Sequence, residues 1–518
     1  MARRWSVILV AAIGAGAVFY GGVQFLAPWP RREGAFLTAG AMDRDLTFPP
    51  GFLWGVATAG TQVEGRQASD WGVFEQDAVA HRRFASGAAP GTTEPGNIRH
   101  FGDWPENVQR EKSGFETRYR DDIAMAAGMG VNAFRFSIEW ARLFPRADMT
   151  APSPEGIAYY QALLAEMRAH HITPFVTLFH YVSPAWFWQA DARGKRGWER
   201  GDALVLWQRY VDAVAANFVP EVQNWCTLNE PMVFIKSGYL DGAYPPLEKR
   251  GGVGDVTEVF AALVRAHAAA YHTLHRAADA AHVQVNVGMT EAVPLFAPYR
   301  DWWLPDRLTA DYVDHAWNWD FLDAIATGRV RITNTDFDRT IEGLAGTEDY
   351  VGINYYQKIY VRSSLFDPGN PDVLTVDPAG GGDVHDEIGN TVYPHGLYRS
   401  LVTIAGKYHK PIYVLENGTA EAAHDDRLRQ RSMVAHVREI WLAMHEGGAD
   451  VRGYFHWSLM DNFEWVEGFD ARFGLVAVDY KDGFKRVPRV SAGVYEEIMR
   501  SNSVSAALMK QYLSPNSK

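Results

Sequence analysis

A short apolar segment followed by a loop and an amphipathic helical pattern recurs eight times along this chain of 518 residues. Each apolar segment has the length and the β-branched and aromatic content of a buried strand. The eight segments are 52–59, 133–140, 174–179, 224–228, 284–289, 350–355, 411–415 and 451–457. Because strands that alternate with helices form parallel sheets, and eight such units close on themselves, the chain is predicted to form an α/β fold, a single (β/α)8 TIM barrel with long βα loops.

The helical patterns between the segments support this arrangement, and the clearest are 120–129, 155–170, 203–217, 257–278 and 426–445. Two connections, 64–118 and 361–395, are too long to be simple turns. In a (β/α)8 barrel the active site lies at the C-terminal ends of the strands, and long loops there shape access to it. Residues 46–500 are therefore predicted to form the catalytic domain.

The N-terminus differs in kind from this domain. After a short flank (1–6), residues 7–27 form an uncharged and mostly apolar run of the length that a membrane helix requires, about 20 residues. We predict a transmembrane anchor in preference to a cleaved signal peptide, because the run is long and lacks a convincing cleavage site. Residues 28–45 are then a linker, the catalytic domain lies outside the cytoplasm, and 501–518 form a C-terminal tail.

Composition and motif content exclude several classes of function. The net charge of −12 disfavours nucleic acid as a partner. Cys226 is the only cysteine, so an intramolecular disulfide and a cysteine-based zinc site are excluded. The sequence has no His-Glu-x-x-His string, and its glycines do not form a dinucleotide-binding fingerprint. No cofactor or metal is predicted, and the oligomeric state is left open.

Two glutamates follow buried strand segments and precede turn signals. Glu230 lies in Thr-Leu-Asn-Glu-Pro (227–231), and Glu416 lies in Val-Leu-Glu-Asn-Gly (414–418). A pair of carboxyl groups is the minimal equipment for breaking a glycosidic bond, since one protonates the leaving oxygen while the other attacks the sugar carbon or activates water. If the two side chains face each other, the chain is predicted to be a glycosidase.

Other strand ends bring amide, imidazole, carboxylate and indole groups to the same face of the predicted barrel. Such groups hydrogen-bond sugar hydroxyls, and aromatic rings stack on sugar faces. The strand-end residues are Gln62, Glu64, Arg135, His180, Asn229, Asn354, Tyr356, Asn417, Trp457, Glu464 and Trp465. Any one of them could instead satisfy the backbone of a loop, but seven strands ending this way together indicate a binding site.

Strings along the chain resemble glycoside hydrolase family 1, the β-glucosidase and β-galactosidase group, and they occur in the family's order over about 48–495. These strings are Phe52-Leu53-Trp54-Gly55-Val56-Ala57-Thr58, Gln62-Val63-Glu64-Gly65, Phe134-Arg135-Phe136-Ser137, Thr227 to Pro231, Gly352-Ile353-Asn354-Tyr355-Tyr356, Glu416-Asn417-Gly418, Trp457 to Trp465, and Arg472-Phe473-Gly474. Each string is weak alone, whereas the ordered set is close to diagnostic.

The resemblance implies a retaining mechanism with Glu230 as general acid/base and Glu416 as nucleophile, their carboxyls about 5 to 5.5 Å apart. It implies that Arg135, Tyr356 and Asn354 support the catalytic pair. The substrate-binding residues that it implies are Gln62, His180, Asn229, Trp457, Glu464, Trp465 and Phe473. Glu464 favours an unphosphorylated sugar, because a carboxylate at this position would repel a 6-phosphate.

Two departures from the family pattern leave the acceptor open. The third-strand string reads His180-Tyr181-Val182-Ser183-Pro184, and Leu415 precedes the nucleophile where Thr is common. Together with an anchor, the first departure resembles membrane-bound plant members of the family that transfer sugars on galactolipids. The alternatives are therefore a glycolipid transglycosidase and, less favoured because both glutamates are present, an inactive sugar-binding receptor. The expected partner is a small-molecule β-glycoside or a glycolipid.

Overall fold

The computed structural model of the protein describes residues 43–81, 98–364, 371–374 and 383–514. Eight parallel strands close into a barrel in the order in which they occur in the chain. All eight predicted strand segments are confirmed, with ends that differ by a few residues. The strands are β1 (Leu53–Ala57), β2 (Ala133–Ser137), β3 (Thr173–Phe179), β4 (Asn224–Asn229), β5 (Asn286–Ala292), β6 (Tyr350–Asn354), β7 (Ile412–Asn417) and β8 (Val451–Trp457).

One major helix returns the chain after each strand, as the alternating pattern predicts. These helices are α1 (Phe115–Gly128), α2 (Pro154–Ala169), α3 (Ala203–Phe218), α4 (Thr257–Ala281), α5 (Asp320–Thr327), α6 (Pro394–Tyr408), α7 (Arg427–His445) and α8 (Val490–Ser501). α2 begins where Ser153 accepts a hydrogen bond from the Gly156 N–H and Pro154 takes the first helical position. α1 begins five residues before the predicted start at 120.

Shorter elements decorate this frame. The additional α-helices are Gly60–Val63, Asp70–His81, Glu106–Glu111, Trp140–Leu143, Pro231–Ile235, Leu304–Asp314 and Ala506–Leu513. The additional strands are Leu46–Thr47, Leu295–Pro298, Arg329–Arg331, Asp338–Thr340, Lys358–Arg362, Asp372–Leu374, Val384–His385, Thr391–Val392, Val476–Asp479, Lys485–Pro488 and Ser503–Val504. Several of these lie in the two long loops, 64–118 and 361–395.

The folded domain extends beyond residue 500, where the sequence predicted a tail. Leu46–Thr47 pairs antiparallel with Ser503–Val504, and the helix Ala506–Leu513 buries Leu508 and Met509 against the domain. Apolar burial, together with strand pairing between the two ends of the domain, makes these residues part of the fold.

Aromatic side chains fill the part of the barrel nearest the N-terminal ends of the strands. The Phe175 ring lies 5.3 to 5.5 Å from the rings of Tyr350, Tyr413 and Phe455. Gly55 permits this packing, since a Cβ there would lie 2.2 Å from Phe455 Cδ1. The barrel interior is therefore a packed core toward the N-terminal ends of the strands, and polar side chains gather at their C-terminal ends.

Residues 1–42 lie outside the described part of the chain, and with them the predicted anchor (7–27) and most of the linker. Segments of the two long loops, 82–97, 365–370 and 375–382, also lie outside it. Within the described ranges, none of the helices has both the length and the apolar content needed to cross a membrane.

Candidate active site

Glu230 lies directly after β4, where the chain turns into the short helix Pro231–Ile235. Its backbone is left-handed, with φ of 44°, and its N–H donates to the Thr290 carbonyl on β5 at 2.8 Å. Left-handed backbone is uncommon for residues other than glycine and occurs often at functional sites. Pro231 occupies the first helical position, which has no need of an N–H donor. The turn that the sequence predicted after β4 is thus present. The hydrogen bond to Thr290 holds its start, and Pro231 begins the helix that follows it.

Glu416 lies near the end of β7 and is held by two donors. Arg135 Nη1 donates to its Oε1 at 2.6 Å, and the Tyr356 hydroxyl donates to its Oε2 at 2.7 Å. The Arg135 side chain is buried and also donates to Asn229 Oδ1 at 2.6 Å and to Thr177 Oγ1 at 3.1 Å. The guanidinium therefore sits in a fixed position beside Glu416.

Glu230 is held by two neutral donors. Asn354 Nδ2 donates to its Oε1 at 2.8 Å, and the Tyr181 hydroxyl donates to its Oε2. Asn354 is fixed in turn, because its Oδ1 accepts a hydrogen bond from Thr290 at 2.9 Å and its Nδ2 also contacts Asn229 Oδ1 at 3.2 Å. Since Arg135 reaches both Asn229 and Glu416, one network connects the two glutamates.

The two carboxyl groups experience different electrostatic surroundings. Burial and then the negative charge of Glu416 raise the pKa of Glu230 to about 7. Burial also raises the pKa of Glu416, but the positive charge of Arg135 and the hydrogen bonds from Tyr356 and Arg135 act against that rise. The surroundings therefore favour the ionised form of Glu416 and the protonated form of Glu230.

A second group of polar residues lines the site beside the glutamates. Gln62 Nε2 donates to Asn462 Oδ1 at 3.1 Å and to Glu464 Oε2 at 3.3 Å, and Trp457 Nε1 donates to the same Glu464 oxygen at 3.4 Å. Gln62 Oε1 and His180 Nδ1 are buried without a hydrogen-bond partner in the part of the chain that the structure describes. Because buried polar atoms are nearly always paired, these two are available to a bound polar ligand.

Aromatic rings enclose this group. The Trp457 and Trp465 rings are each nearly parallel to the His180 ring, with centroids 6.0 Å away. The Phe473 ring meets Tyr356 edge-on at 5.9 Å, so it packs against a partner of Glu416. The structure thus brings together all twelve residues that the sequence proposed for catalysis, its support and substrate binding.

Other residues at the site were missed or placed differently by the sequence. Tyr181 was noted only as a departure from the family pattern, although its hydroxyl contacts Glu230. Glu64 was counted among the strand-end candidates, but it pairs with Arg142 at 3.2 Å and accepts from the Tyr160 hydroxyl at 3.1 Å. Its carboxyl therefore has a structural role in a buried ion pair.

Comparisons with known proteins agree with this geometry. The family model described as Glycosyl hydrolase family 1 matches residues 44–504. The solved beta-glycosidase from Pyrococcus horikoshii is 35% identical, with a TM-score of 0.77 over 91% of this chain and 99% of that one. Beta-glucosidase A of Thermotoga maritima is 29% identical over 88% of this chain and 98% of its own length.

A solved complex of the family 1 b-glucosidase from Thermotoga maritima with isofagomine lactam is similar to this chain, with a TM-score of 0.74 and 28% identity over 88% of this chain and 99% of that one. The matched family region contains all eight barrel strands and both glutamates. The chain is an O-glycosyl hydrolase and belongs to glycosyl hydrolase family 1.

Proposed function

We propose that the protein is a retaining β-glycosidase that hydrolyses a terminal, unphosphorylated β-D-glucosyl or β-D-galactosyl residue. The observation that carries this proposal is the shared network of Glu230 and Glu416, in which only Glu416 has a direct ion pair with Arg135. Asn354, a donor to Glu230, and Arg135, a donor to Glu416, both also donate to Asn229 Oδ1, which supports the short separation that retention requires, about 5 to 5.5 Å.

In the first step of this mechanism, the Glu416 carboxylate forms a bond to the anomeric carbon as the glycosidic C–O bond breaks. Glu230 transfers its proton to the leaving oxygen, so the aglycone departs as a neutral alcohol. The product is an α-linked glycosyl ester of Glu416, and Glu230 is left as a carboxylate. The pKa of about 7 suits Glu230 to giving and taking a proton near neutral pH.

In the second step, the Glu230 carboxylate takes a proton from water as the water oxygen attacks the anomeric carbon. The bond to Glu416 breaks and the sugar leaves with the β configuration it had in the substrate. Arg135 and Tyr356 then again stabilise the free carboxylate of Glu416.

The neighbouring polar group fits recognition of the sugar. Asn229 Oδ1 is occupied by Arg135 and Asn354, while its Nδ2 group has one hydrogen-bond contact among the described residues, to His180 at 3.3 Å. One N–H of this amide is therefore available to the sugar 2-hydroxyl, where a hydrogen bond strengthens in the transition state. Gln62 Oε1 and His180 Nδ1 offer further polar atoms to other hydroxyls.

Glu464 supports the choice of an unphosphorylated sugar. Burial and then the charge of Glu416 raise its pKa to about 8, so at neutral pH it offers both a donor and an acceptor to hydroxyl groups. A sugar phosphate placed here would have to displace the hydrogen bonds between Glu464 and the sugar hydroxyls. Whenever Glu464 is ionised, its carboxylate would also repel the phosphate.

Product analysis tests the proposal. We expect aryl β-glucosides and β-galactosides to be cleaved with the β-anomer formed first, as proton NMR during the first turnovers would show. A 2-deoxy-2-fluoro β-glycoside should inactivate the enzyme and leave its sugar on the peptide that contains Glu416. Initial release of the α-anomer would contradict retention, and cleavage of only 6-phosphoglycosides would contradict the choice of sugar.

Transfer to a glycolipid is the alternative that the third-strand departure supports, and the same incubation with lipid acceptors distinguishes it. Because the catalytic pair is the same in both reactions, the product alone separates water from an alcohol acceptor.

We also propose that residues 7–27 anchor the full chain to a membrane, on the basis of the length and apolar content of this run. The anchored chain should sediment with membranes after an alkaline wash, whereas a chain starting at residue 43 should remain in the supernatant. Release of the full chain by that wash would contradict the anchor.

A further inference from the structure

The Tyr181 side chain makes a contact that the assigned roles do not use. It follows β3 and the proposed sugar-binding His180, and its hydroxyl donates to Glu230 Oε2. Asn354 holds the other oxygen, Oε1, at 2.8 Å. The two oxygens of Glu230 therefore have different partners, and Tyr181 occupies the one that Asn354 leaves.

The Tyr181 backbone is held in an unusual conformation. Its φ of 69° lies in the left-handed region, which is uncommon for an aromatic residue. Asp70 fixes the chain two residues later, because its Oδ2 accepts from the Ser183 hydroxyl at 2.8 Å and from Trp188 Nε1 at 2.9 Å. The Asp70 N–H also donates to the Ser183 carbonyl at 3.0 Å. Tyr181 is thus placed by contacts from a distant helix.

Packing restricts the Tyr181 ring as well. The side chain is buried, and its centroid lies 5.3 Å from Trp465 and 5.9 Å from Tyr244. An aromatic side chain fixed on both sides loses little further entropy when its hydroxyl makes a hydrogen bond. The contact with Glu230 is therefore a built feature of the site.

We propose that Tyr181 is a positioning residue for the acid/base, which holds Glu230 Oε2 and stabilises its carboxylate form. This inference rests on the proposed function of Glu230. In the first step the Glu230 carboxylate forms as its proton leaves for the aglycone oxygen. The Tyr181 hydroxyl is already in place to donate a hydrogen bond to that carboxylate. In the second step the same donor keeps the carboxylate oriented toward water.

The direction of the effect follows from hydrogen bonding. A donor to a carboxylate favours the charged form, so Tyr181 lowers the pKa of Glu230 against the rise that burial and Glu416 cause. The titratable and charged groups that otherwise face Glu230 are Glu416, Arg135, Glu291, Glu464, Tyr244 and Tyr356. All of them remain when only the hydroxyl of Tyr181 is removed.

The test is the pH profile of kcat/KM for Tyr181→Phe. Loss of the protonated acid sets the basic limb, which should lie near pH 7 in the wild-type enzyme. Without the hydroxyl, the carboxylate forms less readily, so the limb should move upward by about 1 to 2 pH units. Tyr239→Phe is the matched control, because the Tyr239 hydroxyl is buried without a partner among the described residues, and its limb should not move.

A second variant reverses the effect. Incorporation of 3-fluorotyrosine in place of Tyr181 gives a more acidic hydroxyl and a stronger donor, so the basic limb should move downward. A purely structural role would not shift the limb in opposite directions for these two variants. If both left the limb of an active enzyme in place, or if Tyr181→Phe moved it downward, the inference would be overturned. If the wild-type enzyme cleaved no β-glycoside, the proposed function itself would be overturned, and this inference with it.

Discussion

Replacing Glu416 with glycine is expected to lower kcat for an aryl β-glucoside by about 10⁴-fold or more, the scale of loss when a nucleophile is removed from a hydrolase. The variant has no atom that can form the proposed covalent intermediate, while Glu230 and the proposed sugar-binding residues stay in place. Initial rates at saturating substrate, with the active sites counted by inhibitor binding, measure the effect. Activity equal to the wild type would make the assignment of Glu416 wrong.

Stability has to be controlled in this experiment. Arg135 is buried and its only ion pair among the described residues is with Glu416, so removing the glutamate leaves an uncompensated charge, which costs about 3 to 5 kcal/mol in buried pairs. Glu348→Gln is the matched control for a buried glutamate. Burial raises its pKa to about 8, and it lies just before β6, at the opposite end of the barrel. Its kcat should equal that of the wild type.

Sodium azide offers a positive readout for the same variant. In the space left by Glu416, azide can attack the anomeric carbon of a β-glycoside as the glycosidic bond breaks, with inversion. The expected product is an α-glycosyl azide, identified by NMR, with Glu230 still protonating the leaving oxygen. Formation of the β-azide would contradict the placement of Glu416 on the α-face of the sugar.

The barrel could be predicted from the sequence because its strands are buried on both faces. β6, for example, is buried at all five positions, and such strands appear as continuous apolar runs bounded by turn signals. The glutamates could be placed for the same reason, since each ends such a run. The pairing of the two ends of the domain was harder to predict. Leu46–Thr47 and Ser503–Val504 are two-residue strands, too short to show an alternation of apolar and polar residues.

The contact between Tyr181 and Glu230 could not be predicted from local sequence. It requires a left-handed backbone at Tyr181, and that backbone is held through Ser183 by Asp70, which lies 113 positions before Ser183 in the chain. The departure at the third strand marked the position as unusual, but only the fold shows which side chain it meets. Likewise Glu64 matched the family string, yet its partner Arg142 lies on a helix after the next strand.

Replacing Glu230 with alanine is expected to have an effect that depends on the leaving group. For an alkyl β-glucoside, whose alkoxide is a poor leaving group, kcat/KM should fall by about 10² to 10⁴-fold, the usual contribution of a general acid. For 2,4-dinitrophenyl β-glucoside, whose phenolate leaves without a proton, kcat/KM should change little. Glu348→Gln again serves as the control and should treat both substrates as the wild type does.

Azide distinguishes this variant from the first one. In the proposed mechanism, the variant without Glu230 still forms the glycosyl ester on Glu416 from the activated substrate, but water attacks it slowly, because no base takes the proton. Azide needs no base, so it should raise kcat and give a β-glycosyl azide, the product of attack on an α-linked ester. Since Glu416→Gly is expected to give the opposite anomer, the pair of products assigns each glutamate to one face of the sugar. Equal losses for both leaving groups, or an α-azide from the alanine variant, would contradict the role of Glu230 as the acid/base.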